Sequence, residues 1–373
     1  MSKPIRVLHV IGMLNRGGAE TMIMNLYRNI DRSKIQFDFV QNEGPEAAFE
    51  EEITLLGGHI YRCPRYRGKN HFAYVKWWNE FFREHQGKYP VVHGHIGSTA
   101  AIYLSIARKY GVYTIAHSHN TKASIMYRLF SFPTRFIANH FFACSRAAGI
   151  SRYGTRIGTD KQRCVVLNNA IDAAKFIISD EVRNHKRCSL GIGEDQLVIG
   201  NVARFSKQKN HLFALEVFEK VHRIRKDAVL LLVGDGELRK QIEDNILKRK
   251  LEDCVILTGI QQNTSDYYQT ADIILMPSLY EGLPVSLVEA QAAGLPCCVS
   301  AGVPREAAIT DLVQFKSLEE PADQWAQWVL ERAKTPRKDM SEEMKKAGYD
   351  ISETAQWLQE FYLEVVRSHA RKN

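Results

Sequence analysis

Short apolar runs, each ending in glycine or polar residues, alternate along this chain with longer stretches whose apolar positions recur at helical spacing. The runs read IRVLHVIG, FDFVQ, PVVHGHIG and VYTIAHSH in the first half, then LVIGNVARF, AVLLLVGDG, CVILTGI, ADIILMPS and PCCVS in the second. Strands that are apolar at almost every residue belong to sheets covered on both faces, and helical stretches between them make the pairing parallel. The pattern predicts an α/β fold in which a doubly wound parallel-sheet domain occurs twice, the two facing a cleft. Asn168 to Gln196, rich in charge and turn residues, is the expected junction. The expected division is therefore a first domain over 1–172, a second over 173–352 and a terminal helix over 353–373. In that helix Trp357, Phe361, Tyr362 and Val365 share a face, expected to pack back toward the first domain.

Composition narrows the class. A chain of 373 residues with 45% hydrophobic content exceeds what one core organises. No apolar run approaches the roughly 18 residues that span a bilayer, and the N-terminus reads as a first strand without a secretory cleavage site. Seven cysteines (Cys63, Cys144, Cys164, Cys188, Cys254, Cys297, Cys298) lie scattered without a C-x-x-C pair. They suggest reduced thiols, a cytoplasmic protein, no disulfides and no zinc. The net charge of +8 admits nucleic acid, an anionic membrane surface, a phosphorylated substrate or merely a basic solvated surface. No RRM, KH or helix-turn-helix signature is present, so nucleic acid is not the expected partner.

In doubly wound folds ligands meet the carboxyl ends of strands, so the residues after each run carry the chemical reading. Gly17 and Gly18 after the first run suit a phosphate at a helix start, or a plain tight turn. Arg204, Lys207 and Lys209 follow the first strand of the second domain and suit a diphosphate, or a surface charge cluster. Gly234 and Gly236 either admit a nucleotide or form an ordinary turn. In YEGLPVSLVEAQAAGLP, Pro284 is placed to start a helix and Gly294 with Pro296 to stop it. Glu281 then precedes that helix and Glu289 lies within it. Leu283 offers no side-chain cap, which leaves N–H groups for a ligand, for water or for Glu281. His93, His95, His117 and His119 form two H-x-H pairs at strand ends. With no acidic cluster and no D-x-D beside them, hydrogen bonding to a sugar or phosphate, or a structural role, is expected in place of a metal site.

In order, RGGAE, AHSHN, NNAID, ARFSKQKN, VGDGEL and EGLPVSLVEAQAAGLP resemble the retaining glycosyltransferases of family 4 over nearly the whole chain. The resemblance implies a GT-B fold of two Rossmann-like domains and a nucleotide diphosphate sugar donor, UDP-linked first and GDP-linked second. Arg204 and Lys209 would hold the diphosphate, Gly282, Leu283, Pro284 and Val285 would meet the sugar or diphosphate, and Glu289 would take the ribose. Glu281 would lie by the sugar, Gly17 and Gly18 on the diphosphate, and Gly234 and Ile260 around the base. His117 would sit near donor sugar and acceptor, with Asn15, His119 and Ser145 on the acceptor side. No cofactor or metal is implied. Ala170 in NNAID, and SAGVPREAAITDLVQF in place of a glycine-rich loop, depart from the family pattern. The latter resembles enzymes of bacterial capsule, O-antigen and exopolysaccharide assembly, which act on lipid-linked or saccharide acceptors. Two first-domain segments, YRCPRYRGKNHFAYVKWWNEFFREH and KASIMYRLFSFPTRFIANHFFACSR, interleave aromatics with Arg and Lys. They suit peripheral attachment to the inner face of an anionic membrane, or core aromatics with solvated charges. A nucleotide-sugar epimerase and a non-enzymatic nucleic-acid-binding protein are the competing functions.

Overall fold

A computed structural model describes residues 3–15, 17–119 and 130–371. The chain forms two compact units, one of residues 1–170 with 350–373, the other of residues 171–349. In the first unit the strands are β1 (Ile5–Val10), β2 (Ile35–Asn42), β3 (Ile60–Cys63), β4 (Val91–Gly94), β5 (Tyr113–Ser118), β6 (His140–Ala143) and β7 (Cys164–Val166). They pair in parallel in the order β3-β2-β1-β4-β5-β6-β7. The second unit holds β8 (Val198–Val202), β9 (Val229–Val233), β10 (Val255–Leu257), β11 (Ile273–Met276), β12 (Cys297–Ser300) and β13 (Val313–Lys316). These too are all parallel, ordered β10-β9-β8-β11-β12-β13.

Each apolar run forms a strand, and both sheets are doubly wound, as the periodicity predicts. Four strands the runs did not reveal are β3, β6, β7 and β13. Three of these are sheet edges, where one flank is free and the sequence need not be apolar throughout.

Alternate residues of the first sheet enter opposite cores. Val7, Phe37, Phe39, Val91, Ile115 and Phe142 pack against the helices Gly18–Asn29 and Ile351–Ala370. Leu8, Val40, Val92, Ala116 and Phe141 pack against His71–Glu84, Ala100–Lys109 and Arg146–Tyr153 on the other side. The terminal helix begins at a firm cap, with the Asp350 carboxylate accepting from the Ser352 and Glu353 N–H groups. It buries Ile351, Ala355, Leu358, Tyr362 and Val365. Ile171 belongs to the second core and donates its N–H to the Tyr349 carbonyl. The chain therefore leaves the first unit two residues before the expected boundary at 172, and returns at 350.

Most of the two aromatic-basic segments is interior. Tyr74, Trp78, Phe81 and Phe82 fill a core from one face of their helix, and Phe141 and Phe142 are buried in β6. The membrane-face reading of those residues is thus corrected, because helical and strand periodicity turns their rings inward. Phe72, Phe130, Phe132 and Phe136 remain exposed, and residues 122–129 lie outside the described residues.

At the end of β9, Gly234 has φ +143°, and a Cβ there would overlap the Ala203 carbonyl at the end of β8. Only glycine permits both the conformation and the close approach. Gly234→Ala is expected to lower stability by about 2–4 kcal/mol. A urea-denaturation midpoint unchanged from the parent would show that the turn tolerates a side chain.

Candidate functional site

The second sheet grows from β8 outward to β10 and then resumes at β11 on the opposite flank of β8. Loops after β8 and β11 consequently part, and such a switch point is where open α/β sheets take ligands. Here the two loops are joined by a polar clasp. The Leu279 N–H donates to the Gln208 carbonyl at 2.8 Å, and Gln208 Nε2 donates to the Tyr280 carbonyl and Glu281 Oε2, each at 3.0 Å. Lys209 Nζ donates to Glu281 Oε1 at 2.6 Å, with the two side chains only 18% and 6% exposed. The sequence allotted Lys209 to phosphate and Glu281 to sugar; in the fold they are partners. The carboxylate thereby fixes the Lys209 ammonium beyond the strand end.

Lys209 ends a 3-10 turn, Lys207–Lys209, after which Asn210 takes a left-handed conformation at φ 56°. Asparagine tolerates that region better than most residues, so the chain can turn into the helix His211–Ile224 immediately.

The helix bearing Glu289 spans Val285–Ala292, with Pro284 at its cap position and no side-chain cap. It starts one residue later than Pro284 alone suggested. The Leu287 and Val288 N–H groups reach back to the Pro284 carbonyl, whereas those of Val285 and Ser286 have no acceptor among the described residues. Two aligned donors and the helix dipole thus face outward. Leu283 and Val285 also pack against the core, which fixes the direction of this helix start.

Glu289 is half-buried, and burial pushes its carboxyl up to about 7 although the Tyr268 hydrogen bond opposes that shift. The Tyr268 hydroxyl lies 3.0 Å from both the Ser286 carbonyl and Glu289 Oε2. One phenolic proton serves two acceptors, so the carboxylate is short of donors. That is a suitable setting for a ligand hydroxyl.

Arg204 is 75% exposed on its side chain and pairs with Glu237 at 3.2 Å. A pair this exposed contributes at most about 1 kcal/mol and yields readily to a stronger anion. Gly234 bridges to Gly259, and the exposed Ile260 follows that bridge. Gly282 is exposed with open space beside it. Arg204, Lys209, Gly234, Ile260, Glu281, Gly282, Leu283, Pro284 and Val285 therefore all sit beyond strand carboxyl ends of the second sheet.

In the first unit the sequence-assigned residues are occupied differently. Gly17 caps the helix Gly18–Asn29, and a Cβ on it would overlap the Glu20 carboxylate, which lies over this helix start. An acid already answers the helix dipole there, so an incoming phosphate would have to displace it. Asn15 is exposed, and its Oδ1 accepts from the Ala48 N–H at 3.4 Å. Ser145 Oγ accepts from the Ala148 N–H as the cap of Arg146–Tyr153. His117 is buried, and its Nδ1 lies 3.1 Å from His93 Nε2, away from open solvent. His95 links His119, at 2.8 Å, to His9, at 3.0 Å. Burial holds all five imidazoles neutral, His9 down to about 3, His119 to about 4 and the rest well below the ordinary value.

His9, Gln208 and Tyr268 are the polar partners the sequence reading missed. His9 sits inside the first apolar run, Gln208 is masked between two lysines, and Tyr268 precedes Glu289 by a whole strand. For His9 the only signal was the echo of a histidine near the end of three neighbouring runs.

The model of "Glycosyltransferase Family 4" matches residues 16–175 and that of "Glycosyl transferases group 1" matches residues 182–350. A Bacillus subtilis protein, EpsF, named provisionally as a glycosyltransferase, is 35% identical over 380 residues, covering 98% of each chain. An Escherichia coli UDP-Gal:alpha-D-GlcNAc-diphosphoundecaprenol alpha-1,3-galactosyltransferase is 27% identical over 224 residues, 57% of this chain and 58% of its own. HepE of Anabaena, solved with UDP, superposes with a TM-score of 0.71 at 15% identity over 98% of this chain and 99% of its own. Since the family likeness runs through both units and the fold agrees over its full length, the chain belongs to the family 4 glycosyltransferases of GT-B fold.

Proposed function

We propose that this protein transfers a sugar from a nucleoside diphosphate sugar, a UDP-sugar in the first instance, to a lipid-linked or saccharide acceptor during assembly of an extracellular polysaccharide. The clasp of Lys209 and Gln208 on Glu281, beside the open Val285 and Ser286 N–H groups, carries this reading. It sets a lysine ammonium and free N–H donors together at the switch point, where a diphosphate leaving group would develop its charge. HepE was solved with UDP-glucose, and the Escherichia coli relative's name gives a UDP-sugar donor and a diphosphoundecaprenol-linked acceptor. A further relative, Erwinia amylovora AmsD, is named for amylovoran biosynthesis and is 37% identical over 95 residues, 26% of each chain.

In this reading Lys209 and Arg204 neutralise the departing diphosphate, Arg204 after leaving Glu237. Glu289 accepts from the ribose hydroxyls, which supply the donors that its pocket lacks. Glu281 is a positioning residue for Lys209. Both of its oxygens are engaged by nitrogen donors, which makes it a poor nucleophile, so retention follows from same-face attack as the phosphate leaves. With two side-chain cations at the diphosphate, the step needs no metal ion there. Acceptor recognition falls to the carboxyl ends of β1, β4 and β5 in the first unit.

Assayed against UDP-, GDP- and ADP-sugars, the protein is expected to release UDP only when an acceptor is supplied. Lys209→Ala should lower kcat about 10²–10³-fold with a smaller change in KM. Free epimerised donor without acceptor, or no nucleotide affinity at all, would overturn the transferase reading.

Donor binding should be linked to protons. If ribose hydroxyls donate to Glu289, the bound state favours the carboxylate and lowers its pKa from about 7. UDP binding should then release a proton below pH 7, and affinity should rise with pH through 7 and level off above it. Calorimetry in buffers of different ionisation enthalpy measures the release. Glu289→Gln should abolish it, and an unchanged release in that variant would exclude Glu289 from the ribose site.

A groove of about 400 Å³ in the first unit is lined by Phe132, Arg135, Phe136, Arg156 and Arg163 among others. Exposed rings beside guanidinium groups match the interface of an anionic membrane, where each cation contributes about 1 kcal/mol. Sedimentation with anionic vesicles is expected, reduced about tenfold or more by Arg156→Glu with Arg163→Glu. Equal sedimentation with neutral vesicles would remove the membrane from the proposal.

A further inference from the structure

The first sheet also reverses its growth, between β1 and β4, and its switch point is filled with imidazole. His9 and His93 are register partners on β1 and β4, and His117 lies on β5, the next strand. Residues two apart on a strand share a face, so His93 with His95, and His117 with His119, lie face against face with centroids 4.5 Å and 4.1 Å apart. The contact between His93 and His117 is of another kind. Their rings are 21° from coplanar with centroids 5.2 Å apart, yet His93 Nε2 and His117 Nδ1 approach to 3.1 Å. The two rings therefore meet end to end, in the plane that holds N–H and lone pair alike. On its other side His93 Nδ1 lies 2.6 Å from the Tyr362 hydroxyl, on the terminal helix Ile351–Ala370. Tyr362, His93 and His117 thus form one buried line of hydrogen bonds, which His117 Nε2 ends without a partner among the described residues.

That line can run in two directions, and the count of protons decides between them. Burial holds both imidazoles neutral, so each carries one N–H and one lone pair. In one direction His117 Nδ1–H donates to His93 Nε2, and His93 Nδ1–H donates to the phenol oxygen. The phenol's own proton is then left among Phe37, His9 and Phe361 with no other acceptor among the described residues, and the His117 Nε2 lone pair is unmet as well. In the opposite direction the Tyr362 O–H donates to His93 Nδ1 and His93 Nε2–H donates to His117 Nδ1, so only the His117 Nε2–H is left over. One buried polar group fewer goes unpaired, which favours this direction about tenfold or more.

We infer that Tyr362, acting through His93, fixes His117 as its Nε2–H tautomer, so that the end of β5 offers a ligand oxygen a hydrogen-bond donor and not a base. Tyr362 and His93 are positioning residues in this scheme. The identity of the ligand rests on the transferase reading: a neutral N–H suits a sugar oxygen of donor or acceptor, whereas a lone pair in its place would suit removal of the acceptor's proton. The tautomer itself rests on the hydrogen-bond line alone.

Protein carrying ¹⁵N in its histidine rings is to be examined near neutral pH by long-range proton-nitrogen correlation, in which each tautomer has its own pattern of nitrogen shifts and couplings. His117, assigned by the signals lost in His117→Gln, should be in the Nε2–H form in the parent. Tyr362→Phe keeps the ring and removes the proton, and should raise the Nδ1–H share of His117 about tenfold or more. Tyr27→Phe, which removes a hydroxyl bonded to Gln36 in the same core, should leave the pattern of the parent. With donor and acceptor supplied, Tyr362→Phe should lower kcat about 2- to 10-fold with little change in donor KM. A parent His117 that is charged or in the Nδ1–H form, or a pattern untouched by Tyr362→Phe, would overturn the inference. A shifted tautomer with unchanged kcat would overturn the contact of His117 with the ligand. The spectra need no turnover, so a protein inactive in transfer would remove the transferase reading and leave the tautomer standing.

Discussion

A parallel sheet that is built outward from an inner strand must reverse its direction of growth once to cover the other flank. At that point two neighbouring strands send their following loops to opposite faces, and no connection crosses the gap. In this protein the reversal falls between β8 and β11 in one unit and between β1 and β4 in the other. Each reversal leaves strand ends whose polar groups the sheet itself does not satisfy. The fold then meets that demand with side chains, and in the second unit those side chains make up the candidate site.

The two switch points meet it in opposite ways. In the second unit charge is used, with Lys209 and Gln208 engaging both oxygens of Glu281. The pair is close and nearly buried, and a charge of this kind is tolerable only because a partner accompanies it. Glu289 is treated otherwise, since Tyr268 has one proton for two acceptors and the carboxyl is pushed toward neutrality. One acid is complete without a ligand and the other is not. In the first unit the strand ends carry no charge, only stacked neutral imidazoles with two unpaired nitrogens. Both incomplete groups lie where ligands enter such sheets.

Legibility of the sequence followed the range of the interactions. Strand runs, the stop at Gly294 and Pro296, and the uncapped helix start were readable because each depends on residues within one turn or strand. The edge strands β3 and β13 were missed because half of an edge strand's surroundings is solvent, which relaxes its pattern. The aromatic-basic segments misled for a related reason. Interleaved rings and cations describe a membrane face and the two sides of an amphipathic core helix equally well, and only packing shows that Trp78 and Phe81 turn inward.

By itself the sequence determined the class of fold, the family and the set of loops in which chemistry would lie, since these rest on periodicity and on short motifs. Tertiary structure decided the partnerships. Lys209 and Glu281 are 72 positions apart, and His93 and Tyr362 are 269 apart. Each meeting depends on which strand lies beside which, and strand order is not written in any local pattern. The same long-range burial set the protonation of Glu289 and of the five histidines, because desolvation is a property of everything packed around a group.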